Sequence, residues 1–142
     1  MALVFLSGAI DLAHKDYQNW KERVKEKLAE IKVGTVDPAG TFNYVINEED
    51  PAEHRHTARA LVDINRHALI SSDLALIVLD AHQPSIGTPI ELYLCDVHDI
   101  PSVVVWNGDR YPAYIYGLAD YVVDNMDDAL TIIEDYFDRV EY

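Results

Sequence analysis

A single cysteine, Cys95, is all this chain carries, which excludes an internal disulfide framework and a thiolate zinc site. Cys95 lies in an apolar stretch and reads as a small core residue. Basic residues are scarce as well: 11 lysines and arginines stand against 25 acids, for a formal charge of −14. Such a chain has no basic footprint with which to wrap a nucleic-acid polymer. No apolar run reaches membrane-span length, and "MALVFLSGAI" lacks a basic leader and a cleavage site, so a soluble, cytoplasmic protein with no membrane partner is expected. Three common motifs are also missing. Gly8 is not followed by GxGxxG, and neither GxxxxGK[ST] nor HExxH occurs, which removes support for dinucleotide-fold, P-loop and zincin chemistry. The histidines of "HRH", His54 and His56, would diverge by about 200° around a helix, so they cannot easily share an ion. No metal and no organic cofactor is expected.

What remains is the composition of one globular domain spanning residues 1–142, nearly half of it apolar. Strand-like and helix-like segments alternate. "ALVFLSG" is a short apolar run ended by Gly8, a buried first strand. "KDYQNWKERVKEKLAEIK" spaces Tyr17, Trp20, Val24, Leu28 and Ile31 by three and four, an amphipathic helix that Gly34 should end. "TVDPAG" follows as a short strand and its exit, and residues 41–53 are irregular. "EHRHTARALVDINRHALISS" carries Ala58, Leu61, Ile64, Ala68 and Leu69 on one stripe, with Asp50 and Pro51 as cap and first position. "DLALIVLD" is apolar on both faces and belongs mid-sheet. Residues 87–98 predict a helix, "PSVVVW" a strand, "PAYIYGL" a short helix, "DYVVD" a last strand, and "NMDDALTIIEDYFDRV" a final helix with Asp127 and Asp128 in its first turn. This alternation means a doubly wound α/β sandwich with a parallel sheet.

In such folds the ligand sits beyond the carboxyl ends of the strands. That rule gathers three loops: "SGAID", "DPAG" and "DAHQPSIGTPIE". The third is the richest. Gly87 and Thr88 open a helix whose free N–H groups can hold an anionic or hydroxyl oxygen, and Ser85 adds a hydroxyl. Glu91 follows, expected on the first turn and leaning back toward the helix start. Two readings stand side by side. Glu91 is either a dipole partner, with Ser85 and Thr88 as caps, or a covalent nucleophile toward a sugar anomeric carbon.

"VFLSGAI", "DPAG", "SSDLALIVLD" and "PSIGTPIE" occur in that order across most of residues 3–106. Together they resemble the nucleoside 2-deoxyribosyltransferase-like family, which includes the hydrolases that cut the N-glycosidic bond of nucleoside 5′-monophosphates. The resemblance implies a flavodoxin-like sandwich with a five-stranded parallel sheet, and a glutamate nucleophile at Glu91. It also implies a homodimer or higher homo-oligomer whose neighbouring subunit completes the site. The sugar's 5′ end would be held by Gly8, Ser85, Gly87 and Thr88. Ser85 stands where deoxyribosyltransferases carry an aspartate for the free 5′-hydroxyl and where the monophosphate hydrolases carry serine. A hydroxyl there can donate to a phosphate that a carboxylate would repel. Elsewhere the pattern departs from the family: Ala9 replaces a phosphate-binding serine, Phe5 a tyrosine that bonds the nucleophile, Asp11 an arginine, and Asn65 an aspartate that assists the leaving base, with Asp63 nearby.

Asp80, ending the central strand, could orient Glu91 or a sugar hydroxyl, or could form an Asx turn. Asp11 either reads the substrate or caps the first helix. His67 and His82 could touch substrate, but an exposed or capping role is the plainer reading. Trp106 is either a base-stacking ring or a core aromatic, and Asp73, at the opposite end of the sheet, is structural. The expected activity is cleavage of the N-glycosidic bond of a nucleoside or its 5′-monophosphate by Glu91. Asp63, Asp11 or water would protonate the base, and the sugar would pass to water or to another base. A nucleotide-binding module without turnover and a glycohydrolase of NAD-like dinucleotides are the alternatives.

Overall fold

The computed structural model describes residues 1–8, 16–37, 55–81 and 87–140. Its strands are β1 (Leu3–Gly8), β2 (Gly34–Val36), β3 (Leu74–Leu79), β4 (Ser102–Trp106) and β5 (Tyr121–Val123). All neighbouring strands pair in parallel, in the order β2-β1-β3-β4-β5. This is the flavodoxin-like arrangement that the sequence predicts. The described helices are α1 (Asp16–Glu30), α2 (Arg55–Ile70), α3 (Gly87–Val97), α4 (Ala113–Leu118) and α5 (Met126–Arg139).

Period-two alternation along the strands divides the core into two layers. Val4, Leu6, Leu74, Leu76, Val103 and Val105 face α1 and α5, where Val24, Leu28, Ala129, Leu130 and Ile133 meet them. Phe5, Ala75, Ile77 and Val104 face the opposite way, against Leu69 of α2, Leu92 and Cys95 of α3 and Ile115 of α4. Because β1, β3 and β4 are covered on both sides, their sequences read as unbroken apolar runs.

The amino ends of the strands are tied by side-chain carboxylates. Asp73 accepts from the Leu3 N–H at 2.8 Å while its own N–H donates to the Leu3 carbonyl. Asp120 ties β4 to β5 in a related way, accepting from the Ser102 N–H at 2.9 Å while its own N–H donates to the Ser102 hydroxyl at 3.3 Å. Asp73 is therefore the structural residue the sequence suggests. The start of α5 follows expectation, with Asp127 and Asp128 in its first turn; Asn125 caps it by accepting from the Asp128 N–H at 2.8 Å.

Two expectations need correcting. Helix α1 ends at Glu30, and its left-handed terminal residue is Lys32, φ 62°, with the Val33 N–H reaching back to the Leu28 carbonyl. Gly34 is the first residue of β2 and not the stop signal; the six-to-one bond closes the helix without a glycine. Ile31, assigned to the apolar stripe, lies past the helix end and is 40% exposed. Ile64, placed on the stripe of α2, is likewise exposed at 45%. The inward face of α2 runs through Leu61, Asn65, Ala68 and Leu69, and Ile64 sits to one side of it. Asn65, half-buried and with its Oδ1 out of solvent, occupies the inward position that the pattern gave to an isoleucine.

Gly8 ends β1 with the Trp20 ring pressed on it: a Cβ added there would stand 2.7 Å from Trp20 Cζ2. No side chain fits without moving the indole. Gly8→Ala is expected to destabilise the fold by about 1–3 kcal/mol through displacement of that ring. Chemical unfolding followed by tryptophan fluorescence checks this, and unchanged stability and emission would contradict it.

Candidate active site

The carboxyl ends of β1 and β3, with the start of α3, bring three sequence-predicted residues together. Gly87 is the first residue of α3 and Thr88, buried, the second. Glu91 is the fifth, so it lies past the first turn, which carries no acid. Its side chain leans back along the helix as expected, with Oε1 3.9 Å from where a Cβ on Gly87 would stand. An acid that served only the helix dipole would sit in the first turn, open to solvent. Glu91 is instead partly buried, and its Oε2 is wholly so, with no hydrogen-bond partner.

Burial sets the electrostatics. Loss of solvent pushes the Glu91 carboxyl up to about 7, opposed by the Ser7 hydroxyl and the charge of Lys21. Ser7 comes from β1, where its side chain shares the face of Phe5 and so points at α3. It is close enough to favour the ionised carboxyl, yet its Oγ makes no well-formed hydrogen bond. Trp20 Nε1 and Asn65 Oδ1 are also buried and unpartnered. Buried polar atoms are seldom left so, and Glu91 with Ser7 forms an orphaned pair at a strand end.

The remaining candidates fall elsewhere. Ala9, Asp11, His82 and Ser85 lie outside the described residues. Phe5 is a core residue, 1% exposed, one side-chain step beneath Ser7. Asp63 is held on α2 by both Arg66, 2.5 Å, and Arg59, 3.4 Å, so its carboxylate serves two guanidinium groups. Asp80 accepts from Asn107 Nδ2 at 3.0 Å, while Asn107 Oδ1 accepts from the Ala81 N–H at 2.8 Å. This clasp joins the ends of β3 and β4. Cys95, one turn beyond Glu91, has its thiol pushed up to about 12 by burial and then by the carboxylates of Glu91 and Asp120. It is an inert core thiol.

A cavity of about 640 Å³ opens between α3, α4 and the ends of β3 and β4, with Asp80, Tyr93, Trp106 and Tyr114 in its wall. Glu91 is not among the residues lining it. Pro89, Ile90 and Tyr93 face the cavity, whereas the Glu91 carboxyl is turned toward β1. Trp106 is a wall in this cavity: its Nε1 donates to the Arg110 carbonyl at 2.9 Å and its ring folds over Gly108, where a Cβ would collide.

Sequence reasoning missed Ser7 and Lys21. Ser7 was within reach, because it lies two residues after Phe5 at the end of a predicted strand and must share its face. Lys21 gave no signal, being one of several lysines on a charged helix.

No family model matches the sequence, and no curated protein does. Solved structures do match by shape. A 2-deoxyribosyltransferase from Bacillus psychrosaccharolyticus superposes with a TM-score of 0.72 at 10% identity, covering 91% of this chain and 90% of that one. A 2-deoxyribosyltransferase from Leishmania mexicana gives 0.70 at 14% identity, over 96% and 99% of the two chains. A CMP N-glycosidase from Clostridium botulinum gives 0.58 at 12% identity, over 93% and 98%.

Ionising Glu91 inside the protein weakens the fold. Its folded pKa lies above the unfolded value of 4.5, so stability falls as pH rises between about 4.5 and 7, by on the order of 3 kcal/mol in full. Glu91→Gln should therefore raise the melting temperature by several degrees at pH 8 and leave it almost unchanged near pH 4.5. Equal effects at both pH values would contradict a buried, shifted carboxyl. At the level of fold, the chain shares the architecture of the nucleoside 2-deoxyribosyltransferases and of a CMP N-glycosidase.

Proposed function

We propose that this protein cleaves the N-glycosidic bond of a nucleoside or nucleoside 5′-monophosphate, with Glu91 as the nucleophile. One observation carries the reading: a buried carboxyl with a free oxygen, leaning toward the glycine that opens its helix, at the carboxyl end of a parallel sheet. The likeness in fold to enzymes of that chemistry supports it.

In the first step a Glu91 oxygen bonds to the anomeric carbon as the C–N bond breaks, through an oxocarbenium-like transition state. The base leaves with the bonding electrons and takes up a proton. Water, or a second base, then displaces the carboxylate from the glycosyl ester. Desolvation favours the reaction: an anion poorly solvated by the protein gains most when positive charge develops beside it. Asp63 is committed to Arg59 and Arg66, which leaves water or Asp11 as the proton source. No metal or organic cofactor enters the scheme.

Incubation with nucleosides, their 5′-monophosphates and NAD, with and without an acceptor base, should release free base or exchange it. Glu91→Gln should lower kcat by on the order of 10³-fold or more, and kcat/KM should fall below about pH 7 as the carboxyl protonates. Release from NAD alone would favour the dinucleotide glycohydrolase. Binding without release, or a fully active Glu91→Gln, would remove the enzymatic reading in favour of a nucleotide-binding module.

Self-association belongs to the same proposal. Val62, Ile90, Tyr93, Val97 and Tyr114 are all more than half exposed, and all belong to the α2–α4 layer. An apolar surface of that kind is usually covered, and a second copy of the chain is the occupant that the resemblance implies. Sedimentation should give at least a dimer, and Tyr93→Glu should shift it to monomer. A wild-type monomer at micromolar concentration would refute this.

A further inference from the structure

The cavity between α3 and α4 takes no part in the proposed reaction, since Glu91 does not line it. At about 640 Å³ it has the size of a small-molecule site, for which about 300–1,000 Å³ is usual. Its lining runs from the buried Leu92 and Ile115 out to Ile90, Tyr93 and Tyr114, each more than half exposed. Water held against such apolar walls is readily given up to a ligand. Two residues that the reaction leaves unused, Asp80 at the end of the central strand and Trp106 at the end of β4, stand in the same wall.

We propose that this cavity is a binding site for an organic cation, an ammonium head on an apolar body, held by Asp80 and by the rings of Tyr93, Trp106 and Tyr114. Charge decides the class of ligand. Asp80 is the one carboxylate of the lining among the described residues, and no lysine, arginine or histidine joins it there. The faces of the three rings are negative, and each attracts a cation within about 6 Å of its centre. An anion would therefore meet a carboxylate and three π faces with no counter-charge in the wall. The polar groups are also fixed beforehand. Asn107 Nδ2 donates to Asp80 at 3.0 Å, and Trp106 Nε1 donates to the Arg110 carbonyl at 2.9 Å. The Asn107 amide is neutral, so its bond orients the Asp80 carboxylate without cancelling its charge. A formal charge of −14 on the chain adds attraction for cations at longer range. This site stands whether or not Glu91 is a nucleophile.

Choline and 3,3-dimethyl-1-butanol share one shape and differ by a single positive charge, and each carries a set of equivalent methyl protons that proton NMR can follow. Titrated into the intact protein, choline should show an upfield shift of that signal, because ring currents shield protons held over aromatic faces. It should bind at least about 5-fold more tightly than the alcohol, as cation–π attraction beside a carboxylate requires. Asp80→Asn keeps an oxygen for Asn107 and removes the charge, so it should weaken choline by about 5-fold or more and leave the alcohol unchanged. Trp106→Leu should likewise weaken choline more than the alcohol, and serves if Asp80→Asn does not fold. Ile90, Tyr93 and Tyr114 also belong to the surface assigned to self-association, so the titration is run at low and at high protein concentration. Equal affinities at both support the site. Choline binding that is lost on association makes a second copy the occupant and overturns the proposal. It is also overturned if choline does not bind, if choline and the alcohol bind equally, or if choline binding survives both substitutions.

Discussion

A carboxyl group withdrawn from water at the carboxyl end of a parallel sheet is the constraint around which this molecule is arranged. Desolvation opposes the charge of Glu91, and in an interior of low polarity that opposition is met only by nearby donors and counter-charges. The protein supplies few. Ser7 comes from the adjacent strand, and Lys21 from a helix on the opposite layer of the sandwich. At the exit from β1, Ser7 faces one layer and Gly8 opens the other to Trp20. The short segment "LSG" thus serves both sides of the sheet within three residues.

The fold was readable because its physics is local and repetitive. Strands covered on both faces must be apolar throughout, and "LVFLSG", "LALIVL" and "SVVVW" meet that requirement. Alternation with amphipathic helices then leaves a parallel sheet as the natural result. The failures have local causes as well. Lys32 adopts the left-handed helix end that a glycine was expected to provide, since a closing hydrogen bond can offset the strain of a positive φ. Ile64 was assigned inward because isoleucine is apolar, but the half-buried Asn65 holds the inward position. A polar side chain on an inward face defeats any reading based on hydrophobicity, and such violations gather near functional sites.

The site was less legible than the fold. Glu91 and Gly87 could be paired from their spacing, because a helix brings residues four apart together. The depth of Glu91 could not be read, since burial depends on the neighbouring strand and helices. The sequence placed it in the first turn, where an acid has an ordinary purpose; one further residue along the helix changes its surroundings altogether. Lys21 was illegible for a related reason. It meets Asp37 across 16 positions of sequence, and nothing in a lysine-rich helix marks which lysine turns inward.

The cavity and the carboxyl lie on opposite flanks of α3, and this separation bears on how function should be argued from such a fold. Concave apolar space is the usual guide to a ligand site, and here it points to the Asp80–Trp106 side. Chemical provision points to the other. The cavity wall is satisfied: Asn107 bonds Asp80, and the Arg110 carbonyl bonds Trp106. The Glu91 side is not, with Ser7 Oγ and Glu91 Oε2 both unpartnered. A glutamine at position 91 would fill nearly the same volume without the penalty of charging in a dry place. A carboxyl there, costly to charge, is what the proposed role of Glu91 as nucleophile requires and an amide cannot provide. Fold alone supplies no such argument, since one architecture carries many reactions. The unsatisfied, desolvated acid does supply one, and for that reason the proposed activity rests on Glu91 and not on the apolar hollow beside it.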